Sequence, residues 1–226
     1  MIDQGHKAYS AVLLAAGSGS RMAAACNKIF LTLAVKASFK YGLELFLSDS
    51  DCKQVILVGK AEEKSYFTDY LSDRVCFVVG GAERQDSVRH ALKEVSEDAV
   101  MIHDGARPFV TLSELAALKA YNNAILAVPV KDTIKQVNHQ EQISQTVPRE
   151  NLWGAQTPQF FETSLIQKVH QDAHSKAFLG TDDASLVEVF SDKPITIVPG
   201  SYENIKITTP EDLIFGQAIL THRSEA

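Results

Sequence analysis

Three stretches of the chain put residues together that could handle a nucleotide, and a fourth group of candidates is scattered. The first is Leu14-Ala15-Ala16-Gly17-Ser18-Gly19-Ser20-Arg21-Met22, at the end of an apolar run, with Lys28 following. Its glycines permit a tight turn in which backbone N–H groups approach a phosphate chain closely. A dinucleotide fingerprint would need a third glycine where Met22 stands. A Walker loop would need Gly-Lys-Ser/Thr, which is absent. Arg21 and Lys28 are instead suited to neutralise charge as a pyrophosphate departs. The alternative is an ordinary glycine turn flanked by two solvated cations.

The second stretch is Gly80-Gly81-Ala82-Glu83-Arg84-Gln85-Asp86-Ser87. It falls between a strand and a helix, where α/β sheets bind ligands. Its backbone and the Ser87 hydroxyl can meet a base edge, or Ser and Asp can simply cap the helix. The third, His103-Asp104-Gly105-Ala106-Arg107-Pro108, also ends a strand. Asp104 offers oxygen to Mg²⁺, and Arg107 can pair with a carboxylate or a phosphate. A phosphate nucleophile is already ionised at neutral pH and needs no base, so His103 is read as structural. The fourth group is scattered: Asp132, Thr133, Arg149, Thr157, Thr181, Asp182 and Lys206. His170 and His174 stand four apart without a third ligand and are read as a solvated helix face rather than a zinc site.

These residues need a frame. Residues 11–16, 55–58, 75–79, 99–103 and 124–128 are short apolar runs, as expected of strands covered on both faces. Between them, residues 87–95 carry Val88, Ala91, Leu92 and Val95 on one helical face. Thr111 and Glu114 are spaced as a capping box, and Thr208-Thr209-Pro210-Glu211-Asp212 opens a final helix. The alternation predicts one α/β domain over residues 1–226, with a mainly parallel sheet and helices on both faces. Residues 131–157 break the rhythm. Pieces 134–137 and 143–147 flank a polar turn and read as an inserted β-hairpin, which would need a partner because a lone hairpin is marginal in water.

The 226 residues are 45% apolar, enough for a buried core, and the net charge of −6 argues against a nucleic-acid binder. A few local cations can still make an anion pocket. No stretch suits a membrane span. The first residues lack signal-peptide features. Cys26, Cys52 and Cys76 show no CxxC spacing. A cytoplasmic protein is expected, without membrane or nucleic-acid partners.

In combination the motifs resemble the 2-C-methyl-D-erythritol 4-phosphate cytidylyltransferases of the non-mevalonate isoprenoid pathway. The matching strings are AAGSGSRM with Lys28, GGAERQDSV, HDGARPFV, PVKDTIK, TVPRENLWGAQTPQFF, TDDAS and ENIKITTPEDL, in family order. The resemblance implies a Rossmann-like three-layer nucleotidyltransferase fold with a dimerising β-arm. It implies transfer of CMP from CTP to a polyol phosphate, methylerythritol 4-phosphate, with Mg²⁺ near Asp104. By resemblance, Arg21 and Lys28 stabilise the transition state. Ala15, Ala16, Gly17, Ser18, Gly19, Gly81, Ala82 and Ser87 hold CTP. Asp104, Gly105, Thr157 and Thr181 line the substrate site, and Lys206 sits by the reacting phosphates. Thr133 and Arg149 reach the neighbour's site in a homodimer. Ala82 stands where many relatives carry an acid, which loosens its contact. A ribitol-5-phosphate cytidylyltransferase and a non-catalytic nucleotide sensor on the same fold stay open, although HDGARPF and PVKDT favour the methylerythritol enzyme.

Overall fold

The computed structural model describes residues 7–15, 32–34 and 36–225. The first strand, β1 (Tyr9–Leu14), is buried throughout. A small antiparallel pair follows, β2 (Thr32–Leu33) and β3 (Lys36–Ala37). Next come α1 (Ser38–Ser48), β4 (Cys52–Gly59), the short α2 (Lys64–Phe67), β5 (Val75–Val79), α3 (Arg84–Ala91) and β6 (Ala99–Asp104). The second half runs α4 (Leu112–Lys119), β7 (Ala124–Pro129), β8 (Ile134–Val137), β9 (Ile143–Val147), β10 (Trp153–Glu162), α5 (Thr163–Ser175), α6 (Asp183–Phe190), β11 (Thr196–Pro199) and α7 (Pro210–Glu225).

Seven strands form the central sheet in the order β11-β7-β10-β6-β1-β4-β5. All pairs are parallel except those of β10, which runs against both β6 and β7. The alternation of side chains builds two cores. Tyr9, Ala11 and Leu13 of β1 face Phe39, Leu43 and Phe46 of α1, with Leu115 and Leu118 of α4 on the same side. Val12 and Leu14 face the opposite layer, where Val88 and Ala91 of α3, Ile166 and Val169 of α5, and Leu186 and Val187 of α6 are packed. Both faces of the sheet are therefore dry, which is why the strands read as continuous apolar runs.

The expected strands are all present. The capping box is formed as well: Thr111 Oγ1 accepts from the Glu114 N–H at 3.3 Å, and Glu114 Oε2 accepts from the Thr111 N–H at 2.8 Å. Helix α3 begins at Arg84 rather than Ser87 and ends at Ala91 rather than Val95. The hairpin pairs Ile134 with Val147 and Val137 with Ile143. Asn138 Oδ1 closes its turn by accepting from the N–H groups of Gln140 and Gln142 at 2.9 and 3.0 Å. The excursion is shorter than residues 131–157, because Trp153, Gly154 and Ala155 already pair with β7 in the central sheet. Cys52 is buried, and burial pushes its thiol up to about 11, so it stays a protonated core residue. Among the described residues, no helix is long and apolar enough to cross a membrane.

Candidate active site

Chain order explains where a ligand can sit. From β1 the chain moves outward through β4 and β5, then returns to place β6 on the other side of β1. The carboxyl ends of β1 and β6 thus flank a topological switch point, where open α/β sheets leave a crevice. Two backbone hydrogen bonds shape its floor. The Ala15 N–H donates to Val58 at 2.7 Å, and the Gly105 N–H donates to Leu14 at 2.8 Å. A Cβ on Gly105 would lie 2.9 Å from the Leu14 oxygen, so the close approach requires glycine.

Asp104, the last residue of β6, points into this crevice and gathers cations from three segments. Arg84 Nε donates to Asp104 Oδ1 at 3.2 Å. Lys206 Nζ lies 2.8 Å from Oδ2, and Arg107 Nε lies 3.9 Å from it. Burial by itself would push the Asp104 carboxyl up. The charges of Arg84, Lys206 and Arg107 overturn that and hold it well below the usual carboxylate range. Lys206 is held in place by its own backbone surroundings. The Ile207 N–H donates to Ala106 at 2.8 Å, and Arg107 Nη1 donates to the Asn204 carbonyl at 2.7 Å. The lysine is thereby stitched to the loop that follows β6.

A neutral hydrogen-bond chain supports the cluster from below. The Asp104 N–H donates to Thr157 Oγ1 at 3.0 Å, and that hydroxyl lies 2.9 Å from His103 Nδ1. His103 Nε2 lies 3.0 Å from the Arg107 carbonyl and must donate there, so Nδ1 accepts from Thr157. Burial pushes the imidazole down to about 4. His103 is therefore an uncharged strut, in line with its structural reading, and Thr157 acts as a link in the floor.

The turn after β5 is also built from within. Ser87 is 3% exposed. Its hydroxyl accepts from the Gly81 N–H at 3.0 Å and donates to the Glu83 carbonyl at 3.1 Å. Ser87 and Gly81 thus shape the loop, and Ala82 is exposed on it. Gln85 ties this turn to the segment before α6, donating to the Phe178 carbonyl and accepting from the Gly180 N–H. A cleft of about 210 Å³ lies between them, lined by Arg84, Gln85, Thr181 and Asp183 among others.

Other expected site residues are placed apart. Thr133 is exposed at the entry to β8. Arg149, at the arm's base, donates to the Lys131 carbonyl. Lys131 in turn lies 3.4 Å from the centre of the Tyr202 ring. Ala16, Gly17, Ser18, Gly19, Arg21 and Lys28 lie outside the described residues.

The model of the 2-C-methyl-D-erythritol 4-phosphate cytidylyltransferase family matches residues 9–222. The chain belongs to this family. A Bacillus velezensis cytidylyltransferase of that name is 44% identical, the match covering 96% of this chain and 97% of the relative. One from Geobacillus kaustophilus is 46% identical over 95% and 98%. Among solved structures, the 4-diphosphocytidyl-2C-methyl-D-erythritol synthase of Anaerococcus prevotii superposes with a TM-score of 0.84 at 31% identity, covering 97% of this chain and 98% of that one. The cytidylyltransferase of Thermus thermophilus gives 0.76 at 29%, covering 93% and 98%.

The family's expected Mg²⁺ can be tested against the donors. Both oxygens of Asp104 already face cations. Among the described residues, no group of three His, Cys, Asp or Glu side chains could hold a metal. These residues do not build a protein cage for a dication.

Sequence reasoning missed one part of this cluster. Arg84 Nη1 lies 2.8 Å from Asp183 Oδ2, and Asp183 Oδ1 lies 3.0 Å from His170 Nε2. His170 is 1% exposed, so it is not on the expected solvated face; His174 is. The signal was available. His170 falls in the apolar stripe of α5 with Ile166, Val169 and Ala173, where a polar residue must find a buried partner.

Proposed function

We propose that this chain transfers the cytidylyl group of CTP to 2-C-methyl-D-erythritol 4-phosphate. The substrate phosphate oxygen bonds to the α-phosphorus, the bond to the bridging oxygen breaks, and pyrophosphate leaves. One observation carries the reading: Lys206 is held by Asp104 at the switch point, beside Arg84 and Arg107. Such a transfer depends on positioning and charge neutralisation, which fixed cations supply without reorganising. Lys206 faces the reacting phosphates. Arg21 and Lys28 neutralise the departing pyrophosphate, and the backbone from Ala15 to Gly19 cradles CTP, with Gly81 and Ala82 beside the base. Thr181 and Gly105 border the acceptor.

Thr133 and Arg149 bind the acceptor phosphate of a second copy, which makes the homodimer the working unit. The arm supports this, since Val137 and Ile143 are 51% and 64% exposed on a two-stranded hairpin. Mg²⁺ enters on the triphosphate, since the donors at Asp104 are already paired. The setting is cytoplasmic.

The test is pyrophosphate release from CTP and Mg²⁺ with each polyol phosphate in turn. Turnover with methylerythritol 4-phosphate is expected. Turnover with ribitol 5-phosphate alone would reassign the acceptor. No turnover with either would point to a nucleotide sensor.

A further inference from the structure

Behind the cluster lies a buried pair to which the transfer reaction assigns no task. His170 on α5 and Asp183 in the first turn of α6 are each 1% exposed. They continue inward from the crevice as one chain of polar contacts: Lys206, Asp104, Arg84, Asp183, His170. Each carboxylate oxygen in it lies within about 3.2 Å of one member of the chain. Lys206 takes Oδ2 of Asp104 and Arg84 takes Oδ1; Arg84 then takes Oδ2 of Asp183 and His170 takes Oδ1. Burial alone would push the Asp183 carboxyl up, yet Arg84 and His170 hold it below its ordinary range. Packing α5 against α6 does not need such a group, since apolar side chains of similar volume often serve as well or better.

The geometry assigns Asp183 and His170 a positioning role: they hold one end of Arg84, so that it takes only one oxygen of Asp104 and leaves the other to Lys206. A guanidinium is a rigid fork that matches both oxygens of a carboxylate at once. Arg84 presents only Nε to Asp104, while its Nη1, on the other side of the guanidinium, lies 2.8 Å from Asp183 Oδ2, which fixes the plane of the group. Released, the guanidinium can turn so that Nε and Nη2 both meet Asp104 and displace the ammonium. His170 completes the device by fixing the second oxygen of Asp183 and hence the angle at which the first meets Arg84. This inference rests on the reading of Lys206 as the group beside the reacting phosphates.

Steady-state kinetics on the full-length enzyme test it, with active sites counted by CTP binding. Asp183→Asn should lower kcat by about 10- to 100-fold, the scale of displacing a catalytic group by about 1 Å, while the KM for CTP moves little. The losses in Asp183→Asn and Lys206→Ala should not multiply in the double variant, because the first acts through the second. His170→Leu should resemble Asp183→Asn, and His170→Gln, which returns an N–H donor, should recover most of the turnover. If Asp183→Asn fails to fold, the two His170 variants decide the matter. Wild-type kcat in the variants, equal losses in His170→Leu and His170→Gln, or multiplying losses in the double variant would each overturn the inference. A wild-type enzyme without turnover would instead overturn the proposed function.

Discussion

Lowering the pH from 7 to 5 perturbs one buried group beneath the site more than its neighbours. His103 is fully buried, and burial takes its imidazole from 6.5 down to about 4. The unfolded chain binds that proton near 6.5, whereas the native state does so only near 4. A folded value below the unfolded one means stability is complete above 6.5, falls as the pH drops, and reaches its floor below about 4. Over the whole span this amounts to about 3 kcal/mol, and between pH 7 and pH 5 to about 2 kcal/mol. Asp104 also has a lowered folded value, but its contribution is lost only as the pH falls below the unfolded carboxylate value near 4. The window from 7 to 5 therefore isolates His103. Urea unfolding of wild type and His103→Gln at both pH values provides the assay, and the remaining histidines cancel in the comparison. The advantage of wild type over the variant should shrink by about 2 kcal/mol at pH 5. An unchanged difference, or an NMR titration of the His103 ring near 6.5, would refute the buried neutral strut.

Other perturbations reach the same framework from different sides. Gly105→Ala places a Cβ 2.9 Å from the Leu14 oxygen and 3.3 Å from Phe39 Cβ, and thermal melts should show a loss of about 1–3 kcal/mol. Thr157→Val strands the Asp104 N–H and His103 Nδ1, and urea titration should show a cost of about 1–3 kcal/mol per stranded group. Lys28→Ala should lower kcat by at least ~100-fold, the scale of one transition-state donor; wild-type turnover would remove Lys28 from the reaction. Arg149→Ala should mainly raise the KM for the polyol phosphate, and a change confined to the KM for CTP would contradict its placement.

The sequence announced strands where branched apolar residues run together, and was silent on β10. That strand contains Gly154 and Pro158, a residue type that cannot donate to a ladder. Its pairing with β7 breaks register between Ala155 and Gln159, around that proline. Nor does any local pattern reveal that β10 runs against its neighbours, which depends on how the chain re-enters from the arm. The site divides in the same way. Asp104 and Lys206 were legible because each sits in a motif. Arg84 was passed over inside a motif read for its glycines and its serine, and its link to Asp183 joins segments far apart in the chain. Local spacing records what one element presents, and a buried ion pair between elements leaves only a misplaced polarity such as His170 within an apolar stripe.

The charge around Asp104 also bears on how an acidic chain with a net charge of −6 can take two polyanionic substrates. Arg84, Arg107 and Lys206 surround Asp104 and Asp183, so the named cluster carries a surplus of positive charge at the sheet edge. The carboxylates do more than offset it. Without them three cations would repel one another, and without fixed partners a lysine that is 37% exposed would sample many rotamers. Paired as they are, the cations stay close together, with the Lys206 and Arg84 side chains 37% and 31% exposed and Arg107 more covered. A metal taken up by Asp104 would have to displace the ammonium that gives the carboxylate its purpose. The same arrangement that makes Asp104 a poor cage for a dication makes it a good holder for Lys206, so the fixed positive charge at this sheet edge comes from the protein itself.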